Sequence, residues 1–239
     1  MNKNLQIKDL GLYLKKEKIL VIGDLHLGFE ESLSKQGVLV PRFQLKETVE
    51  RLEKILNSLE VKEIVITGDL KHEFGKILNT EMNDILDFLD LLLYKYKVVI
   101  IKGNHDAILS VISQRRNIEL KQYYKVDNTF ICHGDILFNN LDFFNSKTII
   151  IGHEHPAVSV SNGNRKETFK CFLAGKYKDK ELIAMPSFNI LVEGSDILRE
   201  EILSPYLKQD LSNFDVFIVA DKVYKFGKLK NLNGKTSPK

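Results

Sequence analysis

Three short aliphatic runs, each stopped at glycine, limit what this chain can fold into more than any other feature. Lys18-Ile19-Leu20-Val21-Ile22 ends at Gly23, Glu63-Ile64-Val65-Ile66-Thr67 at Gly68, and Lys97-Val98-Val99-Ile100-Ile101 at Lys102-Gly103. Short runs rich in β-branched residues and bounded by a turn signal read as buried strands. Between the first two, Leu45, Val49, Leu52, Ile55, Leu56 and Leu59 recur at helical spacing behind Pro41. Between the second and third, Met82, Ile85, Leu86, Leu89, Leu92 and Leu93 do the same behind Thr80, which reads as a helix cap. This βαβαβ order predicts a parallel sheet covered by helices.

Beyond Asn117 the pattern changes. Phe130-Ile131-Cys132, Thr148 to Ile151, Thr168 to Leu173 and Leu182 to Met185 read as short strands, and helical periodicity fades. Asn162-Gly163-Asn164 and Ala174-Gly175 suggest hairpin turns. The expectation is a second, mainly antiparallel sheet packed on the first, with a closing hairpin over Asp215–Val219 and Lys222–Phe226. No repeat, linker or composition break divides residues 1–239, so one domain is expected.

The strand ends carry the chemistry. Gly23-Asp24-Leu25-His26, Gly68-Asp69 and Gly103-Asn104-His105-Asp106 follow the three runs, and His133-Gly134-Asp135 and Gly152-His153-Glu154-His155 follow two of the later strands. Five of the six histidines lie in these clusters, and the sixth, His72, comes three residues after Asp69. In open α/β sheets the loops leaving the carboxyl ends of parallel strands converge, so residues far apart in sequence can share one site. Imidazole, carboxylate and carboxamide together suit divalent Mn, Fe, Zn or Co. Taken singly, Asp24 or Asn104 reads more readily as a turn residue than as a ligand; taken together, the clusters point to a metal centre. Asp135 and Glu154 read as turn residues or as supports hydrogen-bonded behind the ligands.

Bulk composition narrows the rest. The 35 basic and 32 acidic residues give a net charge of +3, and no aromatic-basic strip marks a nucleic-acid groove. Lys222, Lys225, Lys228, Lys230, Lys235 and Lys239 are unopposed by acids in the sequence and read as a solvated tail. Cys132 and Cys171 lie in apolar runs and read as reduced core thiols, which fits a cytoplasmic protein. The longest apolar stretch, around Ile85 to Val99, is broken by Asp87, Asp90, Lys95 and Lys97, so no membrane span is expected.

Gly-Asp-x-His, Gly-Asp, Gly-Asn-His-Asp, a later His and Gly-His-x-His, in this order over residues 18–190, resemble the calcineurin-like metallophosphoesterases. The resemblance implies two packed mixed sheets flanked by helices in an α-β-β-α sandwich. It implies two divalent ions: Asp24, His26 and His155 on the first, Asn104, His133 and His153 on the second, with Asp69 bridging. It further implies hydrolysis of a phosphoester, a phosphodiester before others, by in-line attack of a hydroxide shared by the ions, with His105 as the catalytic acid. Mn is the favoured ion by analogy, and Fe, Zn, Co or Ni also suit the ligands.

Many relatives have an acid three residues after the bridging Asp; this chain has His72. That departure, with Leu25-His26-Leu27-Gly28-Phe29-Glu30, Gly37 to Pro41, Gly152 to Pro156 and Met185-Pro186-Ser187-Phe188, is similar to the small phosphoesterases related to DNA-repair nucleases, including the ligase-associated phosphodiesterases. His72 reads equally as a loop residue or a member of the site, and Arg42 and Lys71 equally as solvated residues or substrate contacts. A nuclease acting on nucleic-acid ends is the alternative within the same chemistry. A scaffold that has lost turnover is the rival outside it, though the chain retains every expected ligand and His105. The sequence leaves the substrate and the oligomeric state open.

Overall fold

The computed structural model describes residues 1–38, 40–72, 79–104, 109–162 and 165–233. The three predicted runs form β3 (Ile19–Ile22), β4 (Glu63–Ile66) and β5 (Lys97–Ile101), preceded by β1 (Leu5–Lys8) and β2 (Gly11–Leu14) and followed by β6 (Glu119–Lys121). They pair in sequence order, antiparallel from β1 to β3 and parallel from β3 to β6. The N-terminal hairpin of β1 and β2 escaped the sequence reading because each strand is only four residues long. What qualifies it as a strand pair is burial: Leu12 and Leu14 are fully enclosed.

Helices α1 (Phe29–Lys35), α2 (Gln44–Leu56), α3 (Asn79–Leu93) and α4 (Leu109–Arg116) lie between these strands in the chain. Leu52 and Ile55 of α2 and Ile85, Phe88, Leu89 and Leu92 of α3 join the core of the first sheet, as their spacing predicts. Thr80 is not the cap of α3: the helix begins at Asn79, and the Thr80 hydroxyl instead donates to Glu31 on α1.

The second sheet contains β7 (Tyr123–Val126), β8 (Thr129–Cys132), β9 (Thr148–Ile151), β10 (Pro156–Asn162), β11 (Arg165–Tyr177), β12 (Lys180–Ala184), β13 (Ser195–Asp196), β14 (Asp215–Val219) and β15 (Val223–Lys228). Its order is β13-β10-β11-β12-β9-β8-β7, with β14 on β11 and β15 on β14. It is mainly antiparallel, as expected, but mixed, because β8–β9, β9–β12 and β10–β13 are parallel. The expected C-terminal hairpin forms as β14–β15. Ala174-Gly175 is not a turn: both residues lie inside β11, and the chain reverses instead after Tyr177, with Lys178 at φ 55°. Gly175 is there because the Phe214 ring covers it so closely that an added Cβ would come within 2.4 Å.

Alternation along the strands divides the interior in two. Ile131, Ile150, Phe172 and Ile183 face the first sheet, whereas Cys132, Ile151, Leu173 and Leu182 face a second core. That outer core is closed by Tyr206, Leu207, Leu211 and Phe214 from the segment after β13, and by α5 (Leu141–Phe144) and α6 (Lys230–Asn233) through Phe143 and Leu232. Both cysteines are buried and unpaired with each other. The basic tail is partly structured: Lys228 pairs with Asp215 across the hairpin at 3.1 Å, and residues 234–239 lie outside the described set. Among the described residues no helix is long and apolar enough to cross a membrane.

Candidate metal centre

Each parallel strand delivers its loop to the same edge. Asp24 and His26 follow β3, Asp69 follows β4, Asn104 follows β5, His133 follows β8, and His153 and His155 follow β9. The two sheets therefore aim their carboxyl ends at one point, and the seven sequence-predicted ligands occupy it. His105 and Asp106 lie outside the described residues, as does Glu73.

Asp24 is fully buried beneath the site. Its Oδ1 lies 3.1 Å from His133 Nδ1 and its Oδ2 3.1 Å from His155 Nε2, while the His153 backbone N–H donates to Oδ2 at 3.0 Å. Burial alone raises the Asp24 carboxyl, but the opposing charges of His155 and His133 and their hydrogen bonds hold it well below the usual carboxylate range. Asp69 Oδ2 lies 3.4 Å from His133 Nε2 and 3.9 Å from His26 Nε2. Asp69, like Asp24 beneath it, thus reaches both halves of the cluster.

His133 is the hub. Its Nδ1 is 2.9 Å from the Thr67 carbonyl oxygen, which only accepts, so that nitrogen carries a proton. Its Nε2 faces Asn104 Oδ1 at 2.9 Å and His153 Nδ1 at 3.1 Å. Burial pushes the imidazole down, but Asp24 and then Asp69 push it up further, to about 11. His153 goes the other way, lowered by burial and by the neighbouring charge of His133. Asp69, His133 and His153 bring one donor atom each within 4.8 Å of one another, the spacing of a shared cation.

Backbone geometry marks the same residues. His26, Asp69, His153 and His155 sit at φ 44°, 43°, 63° and 49°. Left-handed conformation in residues other than glycine costs energy and persists where surrounding structure imposes it, as at functional sites. The glycines beside them solve a spacing problem: a Cβ on Gly103 would stand 2.2 Å from Asp69 Oδ1, and one on Gly152 2.7 Å from Asp24 Oδ2. Only glycine lets the loops close this far.

The donors fit divalent metal: carboxylates, imidazoles and one carboxamide converge, with His133 already held by a carbonyl on its far nitrogen, as metal-binding histidines are. Glu154, between two of the histidines, turns away and accepts from the Leu203 and Ser204 backbone N–H groups at 2.9 and 2.7 Å. It anchors the outer segment, neither as a solvated turn residue nor through a bond to a candidate ligand.

Residues 17–190 match the profile of the calcineurin-like phosphoesterases. The chain belongs to that family. Its members are metal-dependent, and membership suggests phosphoester hydrolysis. The fold is similar to that of nuclease MPE from Pseudomonas putida, at 18% identity over 91% of this chain and 92% of that one, with a TM-score of 0.65. Yfce, a phosphoesterase from E. coli, matches at 16% identity over 88% and 97%, with a TM-score of 0.45.

The structure separates the remaining candidates. His72 stands at the site, its ring 5.6 Å from that of His26 and 4.5 Å from that of Phe29. Arg42 does not point inward: it forms a two-pronged pair with Asp84 of α3 at 2.7 and 2.8 Å. Lys71 is buried with its backbone bridged to Leu27 and is closed off from solvent.

One supporting residue went unseen in the sequence. Lys170 of β11 donates to the Ser187 carbonyl at 2.9 Å, the Ser187 hydroxyl at 2.8 Å and the Asn189 carbonyl at 2.6 Å. Phe188 and Asn189 donate backbone N–H groups to the Asp24 carbonyl, and Asn189 Nδ2 reaches the His26 carbonyl at 3.4 Å. Lys170 therefore braces the strip on which Asp24 and His26 rest. Burial and then Arg51 push its ammonium down to about 7, against the pull of Asp24. A lysine in an alternating strand carries no signal of such a role; the Met185-Pro186-Ser187-Phe188 motif was the only hint.

Proposed function

We propose that this chain is a dinuclear metal-dependent phosphodiesterase. Asp24, His26 and His155 hold one ion, Asn104, His133 and His153 the other, and Asp69 lies between them. The observation that carries this reading is the reach of Asp69 Oδ2 to histidines of both halves, at 3.4 Å and 3.9 Å. Two divalent ions bound there would supply a water of lowered pKa and neutralise charge on the phosphate oxygens. The Thr67 carbonyl fixes the His133 tautomer, Asp24 fixes His155 and the His153 backbone, and Lys170 keeps the underlying strip in place. His105, next to Asn104 in the chain, is assigned the proton donated to the leaving oxygen. Mn is the favoured ion, with Fe, Zn, Co and Ni also suited to this mixed nitrogen and oxygen donor set.

The test is a Mn²⁺-supplemented panel of bis-p-nitrophenyl phosphate, p-nitrophenyl phosphate, cyclic nucleotides and DNA ends. Diesters should be turned over faster than the monoester. Faster monoester turnover would reject the diesterase assignment, and no turnover with metal bound would favour the scaffold. A second reading, a nuclease acting on DNA ends, is supported by the likeness of fold to nuclease MPE over most of both chains. It predicts steep loss of DNA binding with salt, which hydrolysis of a small diester would not show.

A further inference from the structure

Beside the His26 half of the centre opens a cavity of about 600 Å³. His26 and His155 form its inner end. Phe29 and His72 stand on one side, packed edge to face at an interplanar angle of 85°. Leu191 and Val192 form another part of the lining, and Glu193 is exposed beside them. The loop carrying these three residues is fixed against the site: the Leu191 N–H donates to Asn189 Oδ1, and the Ser195 N–H donates to the carbonyl of His155. Among the described residues the lining includes Glu193 and no lysine or arginine.

That composition is informative about what hangs from the phosphate. Aromatic and aliphatic side chains favour a flat ring by burial and ring packing. The Glu193 carboxylate, with no lysine or arginine beside it in the described lining, disfavours a second phosphate near it, which a nucleic-acid strand would bring here if it continued past the reacting bond. We propose that this cavity receives the organic arm of the ester, and that this arm is a flat uncharged ring ending the substrate: an aryl group or a terminal nucleoside. Glu193 sets that preference, and Leu191 and Val192 supply the contact. The proposal rests on the phosphodiesterase reading and narrows it to small diesters and strand termini.

The test uses the full-length, Mn²⁺-loaded protein with bis-p-nitrophenyl phosphate for the aryl arm. The dinucleotide TpT, with and without an added 5′- or 3′-terminal phosphate, probes the nucleoside arm. The wild type should prefer TpT over at least one phosphorylated form by about three- to tenfold in kcat/KM, and Glu193→Gln should narrow that gap. Leu191→Ala, and separately Val192→Ala, should raise KM about tenfold for ring-bearing diesters with a smaller change in kcat and unchanged metal content. Turnover of bis-p-nitrophenyl phosphate alone assigns the cavity to aryl arms, and turnover of both assigns it to either ring. Equal use of all three dinucleotides, a gap unaffected by Glu193→Gln, or unchanged KM in both alanine variants would overturn the proposal. If the wild type hydrolyses no phosphoester, the phosphodiesterase reading itself fails. Calorimetric binding of TpT to wild type and Leu191→Ala then decides the cavity: weaker binding by the variant upholds it, and equal binding or none removes it.

Discussion

Metal binding to this protein should expel a proton from His133, and the structure sets the size of the effect. Each nitrogen of that ring faces oxygen acceptors: Thr67 carbonyl and Asp24 Oδ1 at 2.9 and 3.1 Å on one side, Asn104 Oδ1 and Asp69 Oδ2 at 2.9 and 3.4 Å on the other. The imidazolium satisfies them all, so despite burial the two carboxylates raise its pKa to about 11. In the metal-free protein this charge contributes stability that is fully present below the unfolded value of about 6.5 and is lost as pH rises through about 11. A cation needs the Nε2 lone pair and must displace the proton that blocks it. Near pH 7.5 the displacement weakens binding by three to four powers of ten, on the order of 5 kcal/mol, relative to a neutral ring. Between about pH 7.5 and 8.5, above the titration of ordinary imidazoles, affinity should therefore rise about tenfold, with about one proton released by His133. Calorimetric titration of chelator-stripped protein with Mn²⁺, in two buffers of different ionisation enthalpy, counts that proton directly. No proton release, together with affinity constant to within about twofold over the same range, would show that His133 is neutral before metal arrives and refute the reasoning.

Three further perturbations probe the rest of the centre. Asn104→Ala or His153→Ala should lower occupancy of the second ion and hydrolysis together, read by metal analysis beside a diesterase assay; unchanged values in both would reject these ligands. His105→Ala should keep both ions while slowing turnover by about 10²- to 10⁴-fold, most for poor leaving groups, and loss of metal would make His105 a ligand instead. Lys170→Met removes three donors from Ser187 and Asn189 and should cost about 2–4 kcal/mol. The thermal midpoint should then fall by roughly 5–15 °C, with a loss of metal affinity that Lys170→Arg partly restores; an unchanged midpoint would show that the strip stands without its brace.

Local pattern made the parallel centre of the first sheet and most of the candidate site legible. β3, β4 and β5 are dictated by aliphatic runs stopped at glycine, and α2 and α3 by helical spacing, because both signals depend on a residue's near neighbours. The seven candidate ligands were legible for the same reason: each sits just past a strand, where a turn residue and a ligand are written alike, and only their joint order distinguished the two. What local pattern could not decide was long-range pairing. The parallel β8–β9 and β9–β12 pairs, the passage of β11 straight through Ala174-Gly175 under Phe214, and the hairpin of β1 and β2 all depend on partners distant in the chain. So do the diversion of Arg42 to Asp84, the enclosure of Lys71 and the bracing by Lys170. The sequence by itself determined which side chains would stand at the strand ends, since that follows from spacing along one element. Tertiary structure alone decided which of them touch, which are charged and what supports them, because distance and burial arise only once the two sheets pack.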